Sequence, residues 1–294
     1  RDNITSPLCA KWMPREKSSR KEDAIKIMKH LNLKSKHYRK LLSKHSFVVE
    51  TKMCDSKWSD IDYSHVPSQA MLRYKNAFLR NDNERFSGYL ESVNSGNEKI
   101  NAGTLFPYQI IERLDDHLNE EDSSLSVMWD NLPNYLSGDT SNTLCVVDVS
   151  PSMYTGNPVA IHCSIALGMY LSERTEGSFK NHIITFSTNP KLVDINPDNS
   201  LSLKDRYVRT KRADWAGSTN IESVFRLVLG AAKRSSVPKE DMPERILILS
   251  DMEFDEATYH GYTSFEMIRE MYRESGYKMP NLVFWNLASR SNNV

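Results

Sequence analysis

A doubly wound, mostly parallel α/β sheet preceded by a mainly α-helical region is the fold this sequence predicts. Three observations carry it. Short apolar runs at 144–149, 182–186, 245–250 and 281–287 alternate with stretches of helical spacing, the signature of a parallel sheet covered on both faces. Up to residue 138 the apolar residues recur mostly at three- and four-residue steps instead. The first strand-like run also ends in an acid and two hydroxyls, at the edge where such sheets keep their ligand sites.

The helical part divides at its own signals. Ile25, Met28, Leu31, Tyr38, Leu41 and Leu42 give helical spacing over 20–44, with a shift near Asn32. Pro67 suits a helix start, and Ala70, Tyr74, Ala77 and Phe78 then share a face. Residues 84–93 and 105–118 form two further candidates. The acidic, polar stretch 119–143 reads as a connector, which puts the domains at 1–138 and 139–294. Beyond it come strand 144–149, helix 158–172, strands 182–186 and 191–195, helix 219–233, strand 245–250, helix 264–275 and strand 281–287.

The 294 residues are 39% hydrophobic and 26% charged, enough for two packed domains. No run of 18 apolar residues occurs, so no membrane partner is expected. Residue 1 is Arg and no apolar signal core follows it. Cys9, Cys54, Cys145 and Cys163 lack metal spacing and read as reduced thiols of an intracellular, cytoplasmic protein. Net charge is zero but unevenly spread: residues 1–57 hold 15 Lys/Arg against 6 Asp/Glu, and residues 81–130 hold 3 against 11.

The chemistry gathers at Asp148-Val149-Ser150-Pro151-Ser152, which follows the run Leu144-Cys145-Val146-Val147. One carboxylate and two hydroxyls at a strand end suit a hard cation: Mg²⁺ first, Mn²⁺ or Ca²⁺ as alternatives. Gly217-Ser218-Thr219 brings another hydroxyl before a long helix, and Asp251 follows the buried strand 245–250 at the same edge. Neutral hydroxyls leave a cation electrophilic, so an outside carboxylate can complete its coordination. His162, His182 and His260 read as structural. Glu253 and Asp255 read as exposed loop acids. The basic stretch Lys204, Arg206, Arg209, Lys211 and Arg212 either borders the site and favours an acidic ligand or is a surface helix.

Asp148-x-Ser150-x-Ser152, Thr219 and Asp251 resemble, residue by residue, the metal-ion-dependent adhesion site of von Willebrand factor type A domains. The resemblance covers about residues 143–294. It implies that the serines and the threonine contact the ion and that the aspartates act through water. Lys11-Trp12-Met13-Pro14-Arg15-Glu16, Tyr38-Arg39-Lys40-Leu41, Val48-Val49-Glu50 and Val66-Pro67-Ser68, ahead of such a domain, resemble an uncharacterised viral and eukaryotic family. A virion-associated setting is therefore the alternative to a cytoplasmic one. The layout is also similar to that of the TROVE proteins, the Ro autoantigen among them, whose helical repeats bind small structured RNAs. Against those families the type A region stops after Leu287, short of a last strand and helix, and the helical part is short for a full ring.

Enzymatic readings fare worse. A phosphatase of the haloacid dehalogenase type needs a carboxylate where Ser150 stands. No GxSxG elbow and no P-loop are present. The expectation is therefore a non-enzymatic protein that binds a divalent cation at Asp148, Ser150, Ser152, Thr219 and Asp251 and captures an acidic side chain of a protein partner. The alternative is a ribonucleoprotein component whose basic helical region contacts structured RNA. Lys17, Arg20, Lys21, Lys36, Arg39 and Lys40 would meet phosphates, and Trp12 and Tyr38 would stack on bases.

Overall fold

The computed structural model describes residues 7–46, 48–118, 123–136, 142–156, 158–213, 220–251 and 262–288. The chain forms two compact units, Arg1–Asn101 and Ala102–Val294.

The first unit is helical: α1 (Pro7–Trp12), α2 (Lys21–His30), α3 (Ser35–His45), α4 (Val49–Cys54), α5 (Ser68–Asn81) and α6 (Asn83–Asn94). The expected shift near Asn32 is a helix break. Asn32 takes a left-handed conformation at φ 52°, and the Leu33 and Asn32 N–H groups donate to the Met28 and Lys29 carbonyls. That pairing satisfies the last carbonyls of α2 and turns the chain into α3. Ala24 and Met28 of α2 then meet Tyr38 and Leu42 of α3 in a small core. Around α5 and α6 the core is aromatic, with Tyr63 lying 5.2 Å from Phe78 and 4.9 Å from Phe86 between ring centroids. The Tyr63 hydroxyl donates to Asp82 at 2.7 Å, so its polar end is satisfied inside that cluster.

The second unit holds a five-stranded sheet of order β3-β2-β1-β4-β5, made of β1 (Thr143–Val147), β2 (His182–Thr185), β3 (Leu192–Asp194), β4 (Arg245–Ser250) and β5 (Asn281–Asn286). All neighbouring pairs are parallel except β2 with β3. The central strands are apolar because both faces are covered: Leu144, Cys145, Val146 and Val147 are all 0% exposed. Each such aliphatic side chain contributes about 1.5–3 kcal/mol on burial. One face, with Leu144, Val146, Ile246 and Ile248, packs on α11 (Ile221–Arg234) and α12 (Tyr262–Glu274) through Val224, Phe225, Val228, Ile268 and Tyr272. On the other face lies α9 (Ala160–Arg174). Gly168 lets it come close, since a Cβ there would stand 2.3 Å from Val147 Cγ2.

Behind α9 pack α7 (Pro107–Asp116) and α10 (Leu203–Lys211). The stretch expected as a connector contains α8 (Ser123–Asp130), whose Leu125, Val127, Met128 and Trp129 are buried. Trp129 Nε1 donates to Glu173 of α9 at 2.8 Å. The compact units thus divide between Asn101 and Ala102, and α7 and α8 belong with the sheet by packing. Among the described residues no helix is long and apolar enough to cross a membrane.

Candidate metal centre

The strand order places the site. From β1 the chain winds to β2 and β3 on one side, then returns to β4 on the other. The carboxyl ends of β1 and β4 therefore flank the crevice where the winding direction reverses, the usual ligand position of such sheets. Register puts Val147 opposite Leu249, so Asp148 and Ser250–Asp251 leave neighbouring strands side by side.

Asp148 is 1% exposed. Its Oδ1 accepts the Ser150 N–H at 2.8 Å, and its Oδ2 accepts the Ser250 hydroxyl at 2.6 Å. The Asp148 N–H donates to the Leu249 carbonyl and to Ser164 Oγ, while the Ser164 hydroxyl donates to Leu249. Burial pushes the Asp148 carboxyl above its ordinary range; hydrogen bonds from Ser250 and Ser150 offset part of this, and the charge of Asp251 adds to the rise. Asp251 therefore stands within electrostatic reach of Asp148.

The two loop hydroxyls are together as well. Ser150 Oγ and Ser152 Oγ are 3.0 Å apart, both on half-buried residues, in a single turn of 3-10 helix that Pro151 opens. Thr219 lies outside the described residues, as do His260, Glu253 and Asp255.

This donor set fits a hard cation. Magnesium holds oxygens at about 2.1 Å, and two at right angles stand about 3 Å apart, the spacing of the serine hydroxyls. A buried carboxylate repelled by a second one is the electrostatic complement of a divalent ion. Among the described residues no three His, Cys, Asp or Glu side chains group as a metal cage. A site at this edge depends on hydroxyls, with charge supplied from behind.

The surroundings show where the remaining charged side chains go. In the basic stretch at 204–212 Arg206 is buried, Lys204 and Lys211 are half-buried, and Arg209 and Arg212 are exposed. Arg206 is 8% exposed and pairs with Glu173, Arg209 Nε donates to the Asp194 carbonyl, and Lys211 pairs with Asp115 at 2.6 Å. His162 joins the last of these, its Nε2 standing 3.1 Å from Asp115 Oδ2. Ser250 and Ser164, which hold Asp148 in place, carried no sequence signal, because a serine at a strand end or within a helix reads as filler.

In the first unit Lys17, Arg20, Lys21, Lys36, Arg39 and Lys40 are all exposed, as a binding surface requires. Arg20 pairs with Asp23, and Arg39 lies 4.0 Å from Glu16. Trp12 is 77% exposed, whereas Tyr38 is 1% exposed with its hydroxyl on the Pro14 carbonyl. Tyr38 is thus a core residue and cannot stack on a base.

Comparison with known proteins gives two family matches, a viral relative and a solved structure. Residues 2–134 match the family described as domain of unknown function DUF2828. An uncharacterised protein of Acanthamoeba polyphaga mimivirus is 31% identical over 309 residues, which cover 97% of this chain and 52% of that protein. The chain thus spans about half the length of that relative. The crystal structure of the Deinococcus radiodurans RO (RSR) protein is similar at a TM-score of 0.44 and 12% identity, covering 98% of this chain and 68% of that one. Residues 142–294, just over half of the chain and the whole of the sheet with its candidate site, match a second family, and the chain belongs to it: domain of unknown function DUF7788.

Proposed function

We propose that the sheet unit is a non-enzymatic, metal-dependent interaction domain of the von Willebrand factor type A kind. The observation that carries this is the pair of hydroxyls, Ser150 and Ser152, 3.0 Å apart in front of the buried Asp148. Ser150 and Ser152 would hold Mg²⁺, joined by Thr219, with Asp148 and Asp251 supplying charge behind them. A bound ion supplies Lewis acidity toward a carboxylate of a partner protein. The chain's own part is to fix the oxygens: the Ser250 and Ser164 hydrogen bonds lock the Asp148 loop, so little order is lost on capture.

Isothermal titration of Mg²⁺ into the chain and into Asp148→Ala and Ser152→Ala tests the reading. Binding should be lost in the first variant and weakened in the second, with far-ultraviolet circular dichroism unchanged. Unaltered Mg²⁺ affinity in both would remove the assignment.

A second reading has its own observation, the exposure of the basic block and of Trp12 in the helical unit. It supports contact with structured RNA, and Lys and Arg contacts to phosphate make such binding salt-dependent.

A further inference from the structure

We infer that the turn between α2 and α3 is a phosphate-binding cleft for a nucleic-acid strand, an inference that rests on the nucleic-acid reading of the helical unit. The cleft has a volume of about 540 Å³ and is lined by the apolar Ile25, Met28 and Leu33 and by Lys29, Lys34 and His37. Asn32 and Ser35 complete the lining, which includes no carboxylate. Lys29, Lys34 and His37 are exposed and have no acidic partner among the described residues. The nearby acid Glu16 is engaged by the Ser35 hydroxyl and stands 4.0 Å from Arg39. Two lysines and a histidine thus line one concavity that holds no carboxylate. Like charges brought together repel, and an anion that enters relieves the repulsion.

The same end continues into a charged track. α3 contains no Asp or Glu. Its Lys36, Lys40 and Lys44 recur every four residues, opposite the buried Tyr38 and Leu42, at steps of about 6 Å along the axis. That ladder suits a run of phosphates rather than one ion.

A bilayer surface is the other polyanion to weigh, and the helix argues against it. A helix that lies in a membrane exposes an apolar face, and the apolar face of α3 is spent on its own core, with Tyr38 1% and Leu42 0% exposed. A nucleic-acid strand needs no apolar wedge. It gains from an exposed aromatic, which Trp12 supplies on α1, a helix packed against α3.

The assignment differs from a diffuse basic block, and the experiment separates the two. A labelled stem–loop RNA is titrated into the full chain at 50 to 200 mM salt. It is compared with the triple variant Lys29→Gln, Lys34→Gln, His37→Gln and a control triple at other exposed basic positions of the same unit, Arg15→Gln, Lys26→Gln, Lys57→Gln. The cleft triple should lose at least tenfold in affinity and flatten the log–log salt slope by about 1.5, while the control loses less than threefold. Circular dichroism verifies that both variants fold. Equal losses in the two triples, or no loss in the first, would overturn the cleft and leave the nucleic-acid reading intact. Absence of salt-sensitive binding by the unaltered chain would end that reading and the cleft with it. Binding to phosphatidylserine vesicles without RNA binding would reassign the surface to a membrane and equally overturn the cleft.

Discussion

Ser250 donates a 2.6 Å hydrogen bond to Asp148 Oδ2, from the end of β4 to the end of β1. The two residues are 0% and 1% exposed, so water cannot replace the bond if it is broken. Removing one partner of a buried pair leaves the other unsatisfied, at a cost of about 1–3 kcal/mol. Ser250→Ala should therefore lower the unfolding free energy by that amount in urea titrations without added cation. A loss of a few tenths would mean that Oδ2 is satisfied without the serine, and the description of a locked loop would fail.

Gly168 makes a second, independent test of how α9 seats on the sheet. A Cβ at this position would stand 2.3 Å from Val147 Cγ2, well inside contact distance. Val147 is fully buried and cannot swing away. Gly168→Ala should cost about 1–3 kcal/mol through overpacking. In the double variant Gly168→Ala, Val147→Ala the clash is gone, and a double-mutant cycle should return a favourable coupling. Simple additivity of the two changes would contradict the close approach.

Much of the sheet was legible because its central strands are apolar on both faces, and a run such as 144–147 has few other uses. The loop at Asp148–Ser152 was legible for the opposite reason, since polar oxygens directly after a buried strand need an explanation. What was missed lay where surface chemistry masks packing. The acids of 119–122 made α8 look like linker, although Leu125, Val127, Met128 and Trp129 are buried beside them. α10 hid behind its basic residues, because nothing local reveals that Arg206 meets Glu173, 33 positions away. Tyr38 misled in the same way: lysines around it suggested a stacking surface, and its burial against Met28 and Ala24 is a tertiary fact.

The packing of α7 and α8 on α9 bears on where the chain can be cut. A fragment that begins at residue 102 keeps these helices, and one that begins at residue 139 exposes the faces of α9 they cover. The first should unfold in a single cooperative transition by calorimetry. The second should show a lower midpoint and bind a hydrophobic dye. Equal midpoints would show that α7 and α8 contribute nothing to the sheet unit, and that 138/139 is the boundary of stability.

The pair of Lys211 with Asp115 joins α10 to α7 at 2.6 Å, with side chains 28% and 19% exposed. Burial alone would raise the Asp115 carboxyl, but its bonds to Lys211 and His162 outweigh burial and hold it below the usual carboxylate range. A carboxylate held low in the folded chain stabilises it at every pH above the ordinary value of about 3.9. That contribution fades as pH falls through the lower, folded value. Lys211→Met should cost about 1–3 kcal/mol at pH 7, where Asp115 is charged and loses its partner. Near pH 3 the difference from the unaltered chain should shrink, because the unpaired Asp115 of the variant takes up a proton and is neutral, while the pair in the unaltered chain begins to weaken. Urea denaturation at the two pH values measures it. A penalty that does not change with pH would assign the effect of Lys211 to its ammonium over the Tyr207 ring, whose centroid lies 5.5 Å from Nζ, rather than to the ion pair.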